Sequence, residues 1–399
     1  MTNYIILVLC IIVIISYIFD ISGSFSKIPG VILLILLGIG IQLVVKTVNL
    51  EIPNLRPVLP VIGTLGLIMI VLEASLDLKL ERRKKDLILK SVSSAFVLFT
   101  VFSAGLTYFF VEMQGYGVRD SLLNAIPLGI ISSTVAISST IHVKPDEREF
   151  VIYESSFSDI IGIVFFDFIL ISHGTIAEGI VNMGFKSLIT IVIALVTTLI
   201  LAILLHKITY HVNYVIIMTS IVLVYIVAKL FHLPALLLVL IFGMVLSNNH
   251  FLENDIVKKY VDFTKFRNDI RSFKVILTEL TFLVRSFFFI MFGFYANIEG
   301  LYDGQNLLAA AVITTGIFFL RILFFRLVIN VKLFPLVFFA PRGLITILLF
   351  ISIPEVSRIT TVNEEVITLI ILFSIFVLMT GNMFSEKSKV SAMKNSAIT

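Results

Sequence analysis

Cysteine is almost missing: Cys10 stands alone in 399 residues, so the chain has no disulfide framework and no Cys/His spacing suited to a metal. Charge is scarce as well, with Asp, Glu, Lys and Arg making up 14% of a chain that is 58% hydrophobic and has a mean hydropathy of +1.08. That balance excludes an ordinary soluble globular protein. There is no glycine-rich nucleotide loop beyond stray matches, which argues against ATP-driven pumping. Neither His-Glu-x-x-His nor Gly-x-Ser-x-Gly occurs, which argues against an intramembrane protease or acyltransferase. A filter-like loop and rings of charge, the marks of a channel, are also lacking. The opening MTNYIILVLC has no basic n-region and no small-residue cleavage pattern, so residues 4–20 are expected to be a retained membrane helix. The net charge of +4 and pI near 9.0 follow from the positive-inside bias of membrane proteins and imply no nucleic-acid partner. No cofactor is implied either.

What the sequence has in abundance is apolar runs. Segments long enough to cross about 30 Å of hydrocarbon fall at 4–20, 28–46, 57–76, 87–112, 122–141, 149–172, 185–206, 212–230, 232–248, 275–296, 306–330, 335–353 and 363–384. The lipid bilayer is therefore the solvent for an all-α fold of about thirteen spans. Lys and Arg set its orientation. With the N-terminus outside, they gather in the cytoplasmic clusters 79–90, 258–274 and 387–394, whereas Lys46, Arg56, Arg119, Lys186, Lys229 and Arg358 face out. The odd number of spans leaves 385–399 as a short cytoplasmic tail, and 249–274 reads as the one sizeable cytoplasmic linker, an amphipathic surface segment. The six histidines sit at span ends or in loops, an ordinary interfacial placement.

Ionisable side chains inside spans are costly there and mark function by default. They are Glu73, Asp77, Glu154, Asp159, Asp167, Glu279, Arg285, Arg321 and Arg342. At roughly 1.5 Å per helical residue, span 6 places Glu154 about 8 Å and Asp159 about 15 Å from the cytoplasmic edge, and span 11 places Arg321 about 14 Å from it. Asp159 is the deepest acid. Arg321 thus lies at a level between Glu154 and Asp159, and an ion pair with Glu154 would neutralise both charges and leave Asp159 free to bind a ligand. Asp77, Asp167 and Glu279 lie near span ends, where solvation suffices. Arg285, at mid-depth, is a counter-ion for Asp159 or a structural partner of Glu279.

Two spans carry helix-weakening sequence at depth. Span 5 reads PLGIISSTVAISST, whose hydroxyls compete for the backbone ladder, and span 12 reads LVFFAPRGLIT, where Pro341 removes a donor beside Arg342 and Gly343. Irregular backbone within a bilayer is tolerated where it lines a site, and a matched pair of broken helices in two halves points to a transporter's substrate site. Spans 1–6 and 8–13 form two inverted repeats, about 1–172 and 212–384, with span 7 as connector and spans 5 and 12 each fifth in its repeat.

These residues resemble the monovalent cation:proton antiporter superfamily, in particular its electroneutral sodium/proton exchangers, across nearly the whole chain. Glu154-Ser155-Ser156-Phe157-Ser158-Asp159 is similar to the Glu-Ser-x-x-Asn-Asp motif, Pro341-Arg342-Gly343 to the Pro/Leu-Arg-Gly motif, and Glu73-Ala74-Ser75-Leu76-Asp77-Leu78 and Phe287–Gly293 to two further family stretches. By that likeness spans 5 and 12 cross, and Asp159 is the carboxylate shared by cation and proton. Ser155, Ser158 and the opened backbone near Thr134 are then further ligands, Glu73 lies at the cytoplasmic access funnel, and Glu154 with Arg321 is a structural ion pair. Arg342 compensates the facing helix ends. The likeness also implies a homodimer whose spans 4–6 and 11–13 move against a scaffold. Two departures stand out: Ser158 replaces the family's Asn, and Thr134-Val135-Ala136 replaces Thr-Asp-Pro.

The function expected is exchange of Na+, with K+ and Li+ as alternatives, for H+ across a bacterial inner membrane, with one cation exchanged per proton. Each neutralises Asp159 in turn, and the empty charged site is held back by desolvation. The competing reading is a sodium-coupled organic-anion symporter of the same fold, anchored by Arg285 or Arg342.

Overall fold

The computed structural model describes residues 2–26, 28–48, 55–78, 84–171, 176–207, 213–248, 263–329 and 333–396. Each of the thirteen apolar runs holds helix among its described residues, which contain no strand. That is the expected solution in hydrocarbon, where a helix satisfies its own backbone polar groups. In chain order the helices are α1 (Thr2–Ser26), α2 (Gly30–Val48), α3 (Leu59–Asp77), α4 (Lys85–Gln114), α5 (Val118–Gly129), α6 (Ser133–Ser138), α7 (Pro145–Ile171), α8 (Ile176–Lys207), α9 (Asn213–Leu230) and α10 (Ala235–Ser247). They continue with α11 (Phe263–Tyr295), α12 (Gly304–Phe324), α13 (Leu344–Ile351) and α14 (Glu364–Ser396). Among the described residues, seven segments meet the length and composition of a full membrane crossing, α5 with α6 counting as one.

Two stretches depart from expectation. Residues 249–262 lie outside the described residues, but 263–274 is no separate surface segment: it is the continuous start of α11. Likewise α14 runs on through the polar sequence expected as a tail, up to Ser396. In both places sequence carrying several basic residues and no Pro or Gly continues a helix already nucleated by an apolar span, since adding a residue costs far less than starting a helix.

The chain packs as two compact units, each drawn from both halves of the sequence: Met1–Ile62, Asp86–Asp159 and Arg285–Thr399 in one, Gly63–Lys85 and Ile160–Val284 in the other. In the first, α2 crosses the C-terminal part of α11 backbone to backbone. A Cβ at Gly38 would strike the Ile290 carbonyl, and one at Gly293 would strike that of Ile35. Small residues are the usual device for such contact where no hydrophobic effect drives helices together. Gly293→Leu is therefore expected to lower stability by about 1–3 kcal/mol, read as a fall in the thermal midpoint in detergent. Gly40→Ala, on α2 near Gly38 but facing open space, is the control and should not lower it.

In the second unit the polar groups near helix ends are spent on structure. The Ser247 hydroxyl donates to the Leu76 carbonyl at 2.7 Å and the Asn248 amide to that of Leu78 at 2.9 Å, tying the end of α10 to the end of α3. Asp77 is ion-paired with Lys274. Asp167 accepts the Leu236 N–H at 3.3 Å in the first turn of α10, filling one of the donors that a helix start leaves open.

Candidate functional site

Both runs with weakened helical sequence are broken, in the first unit. The fifth is helical to Gly129, extended at Ile130 and Ser132, and helical again from Ser133. The twelfth is a short turn at Leu333–Leu336, then irregular through Gly343, with α13 beginning at Leu344. The breaks touch: the Ser132 N–H donates to the Pro341 carbonyl at 2.8 Å. Gly343 is required at this crossing, because a Cβ there would collide with the Ser132 side chain.

Freed backbone groups at membrane depth must find partners, and named side chains supply them. The Ile131 N–H donates to the Ser158 hydroxyl at 2.9 Å. Arg342, 3% exposed, donates from Nε to the Leu128 carbonyl at 2.6 Å and from Nη1 to that of Ala340 at 3.1 Å. Its own N–H donates to Ser374 Oγ at 2.9 Å. Arg342 thus sits at the C-terminal end of α5, where a cation meets the negative end of the helix.

On α7 the motif residues fall into two stripes, since positions four apart share a helix face. Glu154 and Ser158 form one stripe, Ser155 and Asp159 the other. In the first, Glu154 is held by Arg321, from Nη1 at 2.9 Å and Nη2 at 2.6 Å, with both residues 1% exposed. Ser94 of α4 also donates to Glu154, and Arg321 reaches on to the Leu336 carbonyl with Nε at 3.2 Å and Nη2 at 3.0 Å. Its guanidinium lies 4.5 Å from the Phe325 ring centroid. One pair thereby fixes α7, α12 and the start of the second break.

On the second stripe Asp159 is 2% exposed. The Ser133 hydroxyl and N–H, at the start of α6, face it, yet neither carboxylate oxygen completes a hydrogen bond with a described residue. Ser155 lies one turn away, its hydroxyl donating to the Val151 carbonyl at 2.7 Å with lone pairs to spare. The Thr134 hydroxyl is 3.1 Å from that of Ser132. Ser133, one residue earlier, is the neighbour that sequence reasoning passed over. It was visible only as one hydroxyl among six in span 5.

Glu73, half-buried on α3, belongs to the second unit. Among the described residues Arg285 forms an ion pair with Asp20 at 3.6 Å, an acid left off the intramembrane candidates because span 1 was expected to end there. The helix runs six residues further, to Ser26, which carries Asp20 within reach.

The sequence profile of the sodium/hydrogen exchanger transmembrane family fits residues 8–386. The chain belongs to this family. Among solved structures, two of the sodium proton antiporter MjNhaP1 from Methanocaldococcus jannaschii share the fold of this exchanger. The structure at pH 8 has a TM-score of 0.67 at 19% identity, covering 96% of each chain. The one with an electron-microscopy map has a TM-score of 0.67 at 17% identity, covering 99% of this chain and 98% of the other. Among curated proteins none matches in sequence. The exchanger is a multi-pass membrane transporter and not an enzyme.

Proposed function

We propose that this exchanger carries Na+ against H+, one for one, with Asp159 as the carboxylate that both ions use. The observation that carries the reading is a nearly inaccessible carboxylate with two unbonded oxygens, set beside a backbone break where a cation can shed its water onto oxygen ligands. Ser155 Oγ and the opened chain around Ser133 and Thr134 complete the ligand set, and Ser158 holds the break in place from the other stripe. Glu154 with Arg321 and Arg342 at the α5 end keep the crossing rigid so that only Asp159 changes its charge. Glu73 belongs to the cytoplasmic approach to the site.

Occupation by either ion removes the net charge of Asp159 and lets the site change sides, whereas the bare carboxylate is retained by its desolvation cost. Access alternates, the two inverted repeats supply the two broken helices, and the protein works as a homodimer in a bacterial inner membrane with its N-terminus outside and its C-terminus cytoplasmic. The fold is shared with a protein described as a sodium proton antiporter, which favours Na+ over K+ and Li+.

The test is a proteoliposome carrying an imposed pH gradient, with fluorescence dequenching recorded on adding Na+, Li+ or K+. Sodium is expected to collapse the gradient. Clamping the membrane potential with valinomycin and potassium is expected to leave the initial rate unchanged, because one charge moves each way. A rate that follows the potential would overturn the stoichiometry, and silence to all three cations would favour the organic-anion symporter.

A further inference from the structure

Beside the crossing, within the first unit, lies a cavity of about 20 Å³ walled by Phe99, Gly129, Ile131, Ser158, Arg321 and Arg342 among others. One guest the size of a water needs about 10–15 Å³, so this space takes one or two waters or a single small ion. Its polar side chains are all donors. A guanidinium has five N–H groups and no acceptor. Arg342 uses one at Nε and one at Nη1, which leaves both hydrogens of Nη2 and one of Nη1 without an acceptor among the described residues. Arg321 has one Nη1 hydrogen left after Glu154 and Leu336. Ser158 accepts from Ile131, and its own hydroxyl hydrogen is uncommitted.

Charge points the same way. Arg342 is buried with no carboxylate within ion-pair distance among the described residues: Glu154 is committed to Arg321, and neither oxygen of Asp159 bonds to it. The carbonyls of Leu128 and Ala340 offset its charge only in part, as one helix end is worth roughly half an elementary charge. An unpaired ion at this depth is destabilising unless something of opposite sign accompanies it. No acid lines the cavity, and its apolar wall of Phe99 and its neighbours suits a weakly hydrated guest over a multiply charged one.

We propose that this cavity binds a single halide-sized anion, chloride under ordinary conditions, held by Arg342 Nη2, Arg321 Nη1 and the Ser158 hydroxyl as the counter-charge of Arg342. The site stands whether or not Asp159 carries the transported cation, and its test needs no transport.

The intact protein in detergent, freed of chloride into sodium gluconate, is titrated with sodium chloride or sodium bromide at constant ionic strength and sodium concentration. A saturable rise in the thermal midpoint is expected with both halides, together with about one equivalent of radioactive chloride bound per chain and displaced by bromide but not by gluconate. Ala95, on α4, also lines the cavity; Ala95→Ile fills it without substituting any charged residue, and it should bind no chloride and lose the halide response. A midpoint that is the same in gluconate and chloride, with no chloride retained by the wild type, would overturn the proposal and leave water as the guest. Because chloride binding is read on the wild type, the outcome does not depend on how well the variant folds.

Discussion

Asp159→Asn is expected to reduce cation-driven dequenching in proteoliposomes to the level of empty vesicles. Asparagine keeps the shape of the side chain but can neither release a proton nor offer a charge to a cation, so both halves of the exchange are lost together. The same substitution should leave the fold intact. Neither oxygen of Asp159 makes a hydrogen bond with a described residue, so nothing structural is removed, and replacing a buried charge by a neutral amide relieves desolvation. The thermal midpoint in detergent is expected to equal or exceed that of the wild type. Transport lost in a protein that unfolds no earlier would separate a site role from a structural one. Cation flux that persists with its dependence on pH would remove Asp159 from the mechanism.

Much of this arrangement was legible because burying charge in a bilayer is costly enough to leave few choices. Apolar run lengths located the helical segments, and the two breaks stood out because Pro341 and Gly343, and the hydroxyl-rich stretch after Pro127, cannot sustain a regular ladder. Depth arithmetic put Arg321 between Glu154 and Asp159, and it is Glu154 that the structure has hydrogen-bonded to it. Less legible was anything that depended on side-chain direction. Periodicity could not tell Ser133 from Thr134 as the hydroxyl facing Asp159, because a helix restarting after a break begins at an unknown rotation. The Asp20 partner of Arg285 was missed for a related reason: Asp20 lies where an apolar run fades, and hydropathy does not fix a helix end to within the turn needed to bring two side chains together. The departure at Ser158 is similar. The sequence shows a shorter residue than the family's Asn, and only the structure shows it accepting the Ile131 N–H.

The break in span 12 makes the Glu154–Arg321 pair more than a neutralising device, since Arg321 also holds the Leu336 carbonyl where that span leaves its helical path. Glu154→Gln is therefore expected to be strongly destabilising, by about 3–5 kcal/mol, because it leaves a guanidinium that is 1% exposed without its counter-charge. Arg321→Met should be comparably harmful, stranding Glu154 with Ser94 as its remaining donor and orphaning Leu336 as well. The combined Glu154→Gln, Arg321→Met variant removes both charges and should be less destabilised than the sum of the two, the mark of direct coupling. It should not return to wild type, because an unsatisfied buried carbonyl still costs about 1–3 kcal/mol. Denaturant titration in mixed micelles measures all four proteins. If the double variant costs the sum of the singles, the pair is not the unit that holds α7 to α12. If it recovers in part, cation exchange should recover with it, because Asp159 and the crossing at Ser132 and Pro341 are untouched.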